Sequence, residues 1–151
     1  MPALLILAQS APDTDTVADM ARTGLALHVS PIVVAAPADI AVPTGTRGVQ
    51  VKRDVAAITA IRIGMAQLTN TTATSVLIWP ALSAGLPFVS LLALIDAAAR
   101  ESGDIAVLAG LAPDVAPLVV PRDAWLELVT LGEGGLAALA TRRRVVQVDT
   151  R

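Results

Sequence analysis

Cysteine is absent from the 151 residues, and histidine occurs once, as His28. Disulfides, thiolate chemistry and zinc or iron–sulfur sites built on cysteine are therefore excluded, as is a histidine-rich metal site. Any metal would have to be a hard cation held by carboxylates. Tyrosine is also absent, with one phenylalanine and two tryptophans, so the aromatic platforms on which single-stranded nucleic acid stacks are missing. Lysine occurs once, at Lys52, and the formal net charge is −2, which leaves no basic footprint for nucleic acid. No basic residue precedes the apolar run at residues 1–7; it reads as a first strand rather than a signal peptide, and the cytoplasm is the expected location.

Apolar residues fill the space those absences leave. They make up 54% of the chain, against 16% charged, a profile that suits Ala-rich helices covering both faces of a Val/Ile-rich sheet. Strand and helix patterns alternate from end to end. Residues 3–7 read as a strand. Asp13 and Asp15 offer N-caps for a helix reaching residue 27, with Val17, Met20 and Ala21 on one face. Strands are expected at 32–35 and 49–51. Asp54 stands as N-cap before an apolar stripe of Val55, Ile58, Ile61, Met65 and Leu68. Residues 75–79 form a further strand, and Ser90 caps a helix over 91–101 that Gly103 stops. Strands at 105–108 and 118–120, helices at 122–129 and 134–142, and a strand at 145–148 complete the order. Residues 1–151 form one α/β domain: three layers, α/β/α, Rossmann-like, around a mostly parallel sheet.

Residues 76–95 carry no charge and are long enough to cross a membrane. Pro80, Gly85 and Pro87 break the run, and no lysine or arginine closely flanks it. A buried strand, loop and buried helix in succession explain it better, with a membrane-associated protein as the alternative.

The order of several segments carries a resemblance. IVVAAP at 32–37, AIRIGMAQL at 60–68, VLIWPALSAGLPFVSLLALID at 76–96 and DAWLELVTLGEGGLAAL at 123–139 resemble the MobA-like NTP transferases. That superfamily includes molybdenum-cofactor guanylyl- and cytidylyltransferases and methylerythritol-phosphate cytidylyltransferases; Pro87-Phe88-Val89-Ser90 matches its "RPfVS" element. The resemblance implies nucleotidyl transfer, in which an acceptor oxygen attacks the α-phosphate of an NTP. Such a site needs backbone N–H groups, Lys or Arg, and Mg²⁺.

Measured against what the resemblance implies, the chain is depleted. The family's "LAxGxSxRMGxxK" loop corresponds to Leu7-Ala8-Gln9-Ser10-Ala11-Pro12-Asp13. Leu7, Ala8 and Ser10 remain, whereas the glycines, arginine and lysine do not, and Asp13 and Asp15 bring negative charge. The metal-binding aspartate falls at or beside Pro80, which cannot ligate a cation. Asp149 is the candidate for a second metal carboxylate. In the "RxG" helix Arg62 and Gly64 are retained and Thr59 supplies a hydroxyl, whereas Ala56, Ala57 and Ala60 stand where Gly, Ser or Arg are expected. Losing one electrostatic group of this kind typically costs on the order of 10²–10³ in rate.

The vestigial nucleotide-binding candidates are thus Ala8, Ser10, Thr59, Arg62 and Gly64, with Trp79 and Phe88, beside Leu82, either lining a pocket or sealing it. His28, residues 132–135 and Arg142-Arg143-Arg144 read more readily as structural. The expected function is that of a degenerate, non-catalytic nucleotidyltransferase-like domain acting by binding, either weakly to a nucleotide or to a protein. A homo-oligomer or a homologous partner is expected, and no cofactor. The alternative is an active cytidylyl- or guanylyltransferase with Mg²⁺ and a rearranged site of Arg62, Lys52 and Asp149.

Overall fold

The computed structural model describes residues 2–11, 13–100, 103–111, 115–130 and 144–149. Among them, strands and helices alternate as β1 (Pro2–Leu7), α1 (Thr14–Ala26), β2 (Ile32–Ala36), β3 (Arg47–Gln50), α2 (Ala57–Met65), β4 (Ser75–Pro80), α3 (Phe88–Arg100), β5 (Ile105–Leu108), β6 (Leu118–Pro121), α4 (Trp125–Val129) and β7 (Val145–Val148). Single 3₁₀ turns at Ala81–Ser83 and Arg122–Ala124 follow β4 and β6.

The strands form one sheet in the order β3-β2-β1-β4-β6-β5-β7. β6 pairs antiparallel with both β4 and β5, and every other pairing is parallel. Alternating residues of the central strands feed two cores, as the pleat requires. Leu4, Ile6, Leu77 and Trp79 pack with Val17 and Met20 of α1 and Leu91 and Leu94 of α3. Leu5, Leu7, Val76 and Ile78 pack on the other face with Ile61 and Met65 of α2 and Trp125 and Leu128 of α4. This is the three-layer α/β/α Rossmann-like architecture with a mostly parallel sheet.

Two glycines let helices approach the sheet closely. A Cβ on Gly24 of α1 would lie 2.5 Å from Leu4 Cδ2, and one on Gly64 of α2 would collide with Leu5 Cδ1. Gly64, a nucleotide-site candidate in the sequence, thus has a packing role.

Two expectations need correction. Asp54 does not cap α2. The N-cap is Ala56, without a side-chain hydrogen bond, and Asp54 lies upstream with φ +58. Ser90 does not begin α3, which starts at Phe88 directly after Pro87. The amides of Ser90 and Leu91 both donate to the Pro87 carbonyl, and the φ of proline, fixed near the helical value, suits the entry to a helix. Residues 76–95 are the strand, loop and helix expected of them: β4, a 3₁₀ turn, a loop and the opening turns of α3. Among the described residues no helix is long and apolar enough to cross a membrane. The helix expected at 134–142 lies outside the described residues.

Candidate functional site at the carboxyl edge of the sheet

In parallel α/β sheets, ligands bind outside the carboxyl ends of the strands, where successive crossovers leave in opposite directions. Here β1 is flanked by β2 and β4, with Leu7 beside Ala35 on one side and Pro80 on the other. The loop after β1 therefore lies over the switch point. It is tightly held. The Ala8 amide donates to the Ala35 carbonyl (2.8 Å) and the Ala11 amide to the Ala8 carbonyl (3.2 Å).

Residues that follow β3 pin the same loop. The Asp54 amide donates to the Gln9 carbonyl at 2.9 Å, and Ser10 Oγ donates to Asp54 Oδ1, also at 2.9 Å. This double clasp gives Asp54 its left-handed backbone, a conformation Asp tolerates better than most residues. Arg53 Nη1 donates to the Ala11 carbonyl (3.2 Å), and its Nη2 pairs with Asp39 Oδ2. The cation nearest the loop in the hydrogen-bond network is therefore engaged. Lys52 is exposed beside it.

The N-terminus of α1, the natural anion-binding element after a first strand, carries its own carboxylate. Asp13 Oδ1 accepts from both the Thr16 amide and the Thr16 hydroxyl at 2.8 Å. The amide bond, reinforced by the hydroxyl, holds the Asp13 pKa below the ordinary carboxylate value. Asp15 adds a second acid to the first turn.

Across the switch point, β4 ends at Pro80 and the chain turns under its own tryptophan. Trp79 is 1% exposed in the core, its Nε1 donates to the Ser83 carbonyl (3.0 Å), and Ser83 Oγ donates to the Pro80 carbonyl (3.0 Å). The Trp79 indole is thus enclosed, with its N–H taken up by the turn. Phe88 is partly exposed at the start of α3, while Leu82 and Val89 are each 66% exposed. The space between Ser10 and Pro80 is a dent of about 20 Å³, room for one water-sized atom.

Ala8 belongs to the loop over the switch point and is fully buried in it. Thr59 is half-buried in the first turn of α2. Arg62 Nε donates to the Val129 carbonyl at the end of α4 (3.0 Å), tying two helices on one face and complementing that helix terminus. Asp149 follows β7 at the far edge of the sheet, four strand spacings from β1, or about 19 Å along the sheet. Among the described residues no group of three or more His, Cys, Asp or Glu could hold a metal ion. With Pro80 closing β4, the residues present do not fit the Mg²⁺ site that the resemblance implies. His28 sits exposed in a left-handed turn after α1. Arg144 lies 3.6 Å from Asp104, whereas residues 132–135, Arg142 and Arg143 lie outside the described residues. Sequence reasoning missed Gln9, Asp39, Arg53 and Asp54 as one cluster; only the acid–base run at 52–54 hinted at it.

The three-layer arrangement, with helices on both faces of a sheet in which only β6 is reversed among the described strands, is shared by solved structures. Rv0371c from Mycobacterium tuberculosis H37Rv superposes with a TM-score of 0.74 at 19% identity, covering 100% of this chain and 90% of that one. Its complex with manganese gives 0.71 at 20% identity, covering 99% and 89%. A 4-diphosphocytidyl-2C-methyl-D-erythritol synthase gives 0.72 at 14% identity, covering 99% and 89%. No protein-family model matches the chain, and no curated protein matches it in sequence. At these identities the likeness is one of fold, and it agrees with the resemblance read from the sequence.

Proposed function

We propose that this is a pseudoenzyme: a nucleotidyltransferase-like domain that does not transfer nucleotides and acts by binding at the carboxyl edge. One observation carries the reading. The loop that should cradle a triphosphate is occupied by the chain's own groups, with Asp13 on the helix N-terminus, Asp54 on Ser10 and Arg53 committed to Ala11 and Asp39. A triphosphate arriving there meets carboxylates and finds no metal-holding acid at Pro80. The reading includes no resident cofactor, a cytoplasmic location, and a second copy of the chain or a homologous protein as partner. Exposed Leu82, Phe88, Val89 and Leu92 on the adjoining turn and helix support a partner surface.

Calorimetric titration with CTP and with GTP, each with Mg²⁺, is the test. The expected result is no binding in the micromolar range and no pyrophosphate release with sugar or pterin acceptors. Micromolar binding of either nucleotide would overturn the loss of the cradle, and turnover abolished by Asp149→Ala would establish the rearranged transferase in its place.

A further inference from the structure

β3 ends the sheet, and one side of it has no neighbouring strand among the described residues. The register fixes which backbone groups point that way. Ala36 stands opposite Gln50, and the Val51 amide donates to the Ala36 carbonyl (3.0 Å). Bonding residues alternate along a strand of a parallel ladder, so Arg47, Val49 and Val51 face β2. Gly48 and Gln50 turn their N–H and C=O groups outward, and both residues are exposed. A Cβ on Gly48 would run into the Val42 side chain; the preceding loop thus covers one face of the strand and leaves its edge open.

Such edges are normally blunted by charge, lysine above all. Residues 40–53 hold Arg47, Lys52 and Arg53 and no acid, in a chain whose net charge is −2. The acids on either side of that stretch are engaged, Asp39 by Arg53 and Asp54 by Ser10. Arg47 donates to a neutral group, the Gln67 carbonyl (3.4 Å), and Lys52 is exposed. Two copies of this edge laid together would oppose like charges, which destabilises a strand pair. An acidic strand meets the opposite sign. At the amino end of β2 and β3, a hollow of about 290 Å³ is lined by Leu25, Val29, Ile32, Gly45 and Arg47 among others. Leu25 is 54% exposed there, which makes the hollow a seat for an aliphatic side chain.

We propose that the outer edge of β3 is a docking site for an acidic peptide in extended conformation, added to the sheet as a further strand. Running antiparallel to β3, the peptide pairs with both backbone groups of Gly48 and of Gln50. Its acidic residues lie beside Lys52 and Arg53, and an aliphatic side chain enters the hollow. Main-chain bonding supplies the affinity; the charges and the hollow supply the selectivity. This edge is separate from the carboxyl-edge site, and either can stand without the other.

The probe is the capped hexapeptide Glu-Glu-Val-Thr-Val-Leu, with Lys-Lys-Val-Thr-Val-Leu as the control of equal length. The readout is amide hydrogen exchange by NMR on the full chain. In the free protein the Val49 and Val51 amides are expected to exchange slowly and those of Gly48 and Gln50 fast. The acidic peptide should slow Gly48 and Gln50 roughly ten-fold or more, with a Kd on the order of 100 µM. The basic control should bind roughly ten-fold more weakly. Gln50→Pro deletes an outward donor and no bond to β2, so it should abolish binding while Val49 and Val51 stay protected. Lys52→Glu, on an exposed side chain, should narrow the preference between the peptides roughly five-fold. No protection of Gly48 and Gln50 at millimolar acidic peptide, equal affinity for the basic control, undiminished binding to Gln50→Pro, or an unchanged preference in Lys52→Glu would each overturn the proposal. So would dimers of the free protein in sedimentation that protect the same two amides, because a second copy would then be the occupant.

Discussion

At the amino edge of the sheet, Arg122 reaches into the turn before β4. Its Nη1 donates to the carbonyls of Thr71 and Ala73 and its Nη2 to that of Thr69. The same guanidinium lies over the Trp125 ring, 4.6 Å from its centroid, in cation–π geometry. At the carboxyl edge, Arg53 likewise caps a loop carbonyl and pairs with Asp39. There, however, a left-handed Asp54, an unpartnered Gln9 oxygen and exposed Leu82 and Val89 remain beside it. The first arginine satisfies three carbonyls while bordering a hollow of about 530 Å³ lined by Thr71, Thr74, Gly103 and Pro121; the second leaves unmet polar and apolar groups within a few residues. The two ends therefore differ in how fully their polar groups are met rather than in how open they are.

Three variants would break or sharpen that contrast. Arg122→Ala should be the most damaging, because it orphans three carbonyls and uncovers Trp125. A loss of about 3 kcal/mol is expected in urea unfolding, and a loss below about 1 kcal/mol would mean the amino edge is no tighter than the other. Asp54→Ala comes next, at about 1–2 kcal/mol, since it removes the Ser10 bond and leaves alanine in a left-handed backbone. Asp54→Gly should cost less than Asp54→Ala because glycine adopts that φ freely; the reverse order would show that the strain is illusory.

The smallest effect is expected at Asp13. Its pKa is depressed, so the stability it contributes is whole above the ordinary carboxylate value near 4 and is lost as pH falls through the lower folded value. Asp13→Asn keeps a capping side chain without a titrating group. Its stability should therefore fall less than the parent's between about pH 4 and pH 2; superimposable acid profiles would dismiss the cap as a contributor.

The layers of this fold were legible because they depend on local periodicity. Ile32–Ala36 and Ser75–Pro80 announce buried strands by continuous apolar runs, and Val17 with Met20 marks the inner face of α1. The reversal of β6 was not legible, since Leu118–Pro121 reads the same in either direction. The site was legible mainly by what it lacks: the missing glycines, lysine and metal aspartate could be read against the resemblance. Its positive content could not. Asp54 looks like a helix cap because capping is a local pattern, but its carboxylate is claimed by Ser10, 44 residues earlier. Arg62 looks like a ligand contact until α4 folds beside it and takes its Nε–H.

The reversed strand has a practical consequence. Because β6 runs against its neighbours, Pro121 finishes beside Ser75, and the arginine knot that follows is built at the end of the sheet opposite Gln9. Engineering can therefore proceed at one pole without disturbing the other. Substitutions around Thr71 and Arg122 can harden the protein for crystallography or screening, while the opposite pole keeps its native side chains.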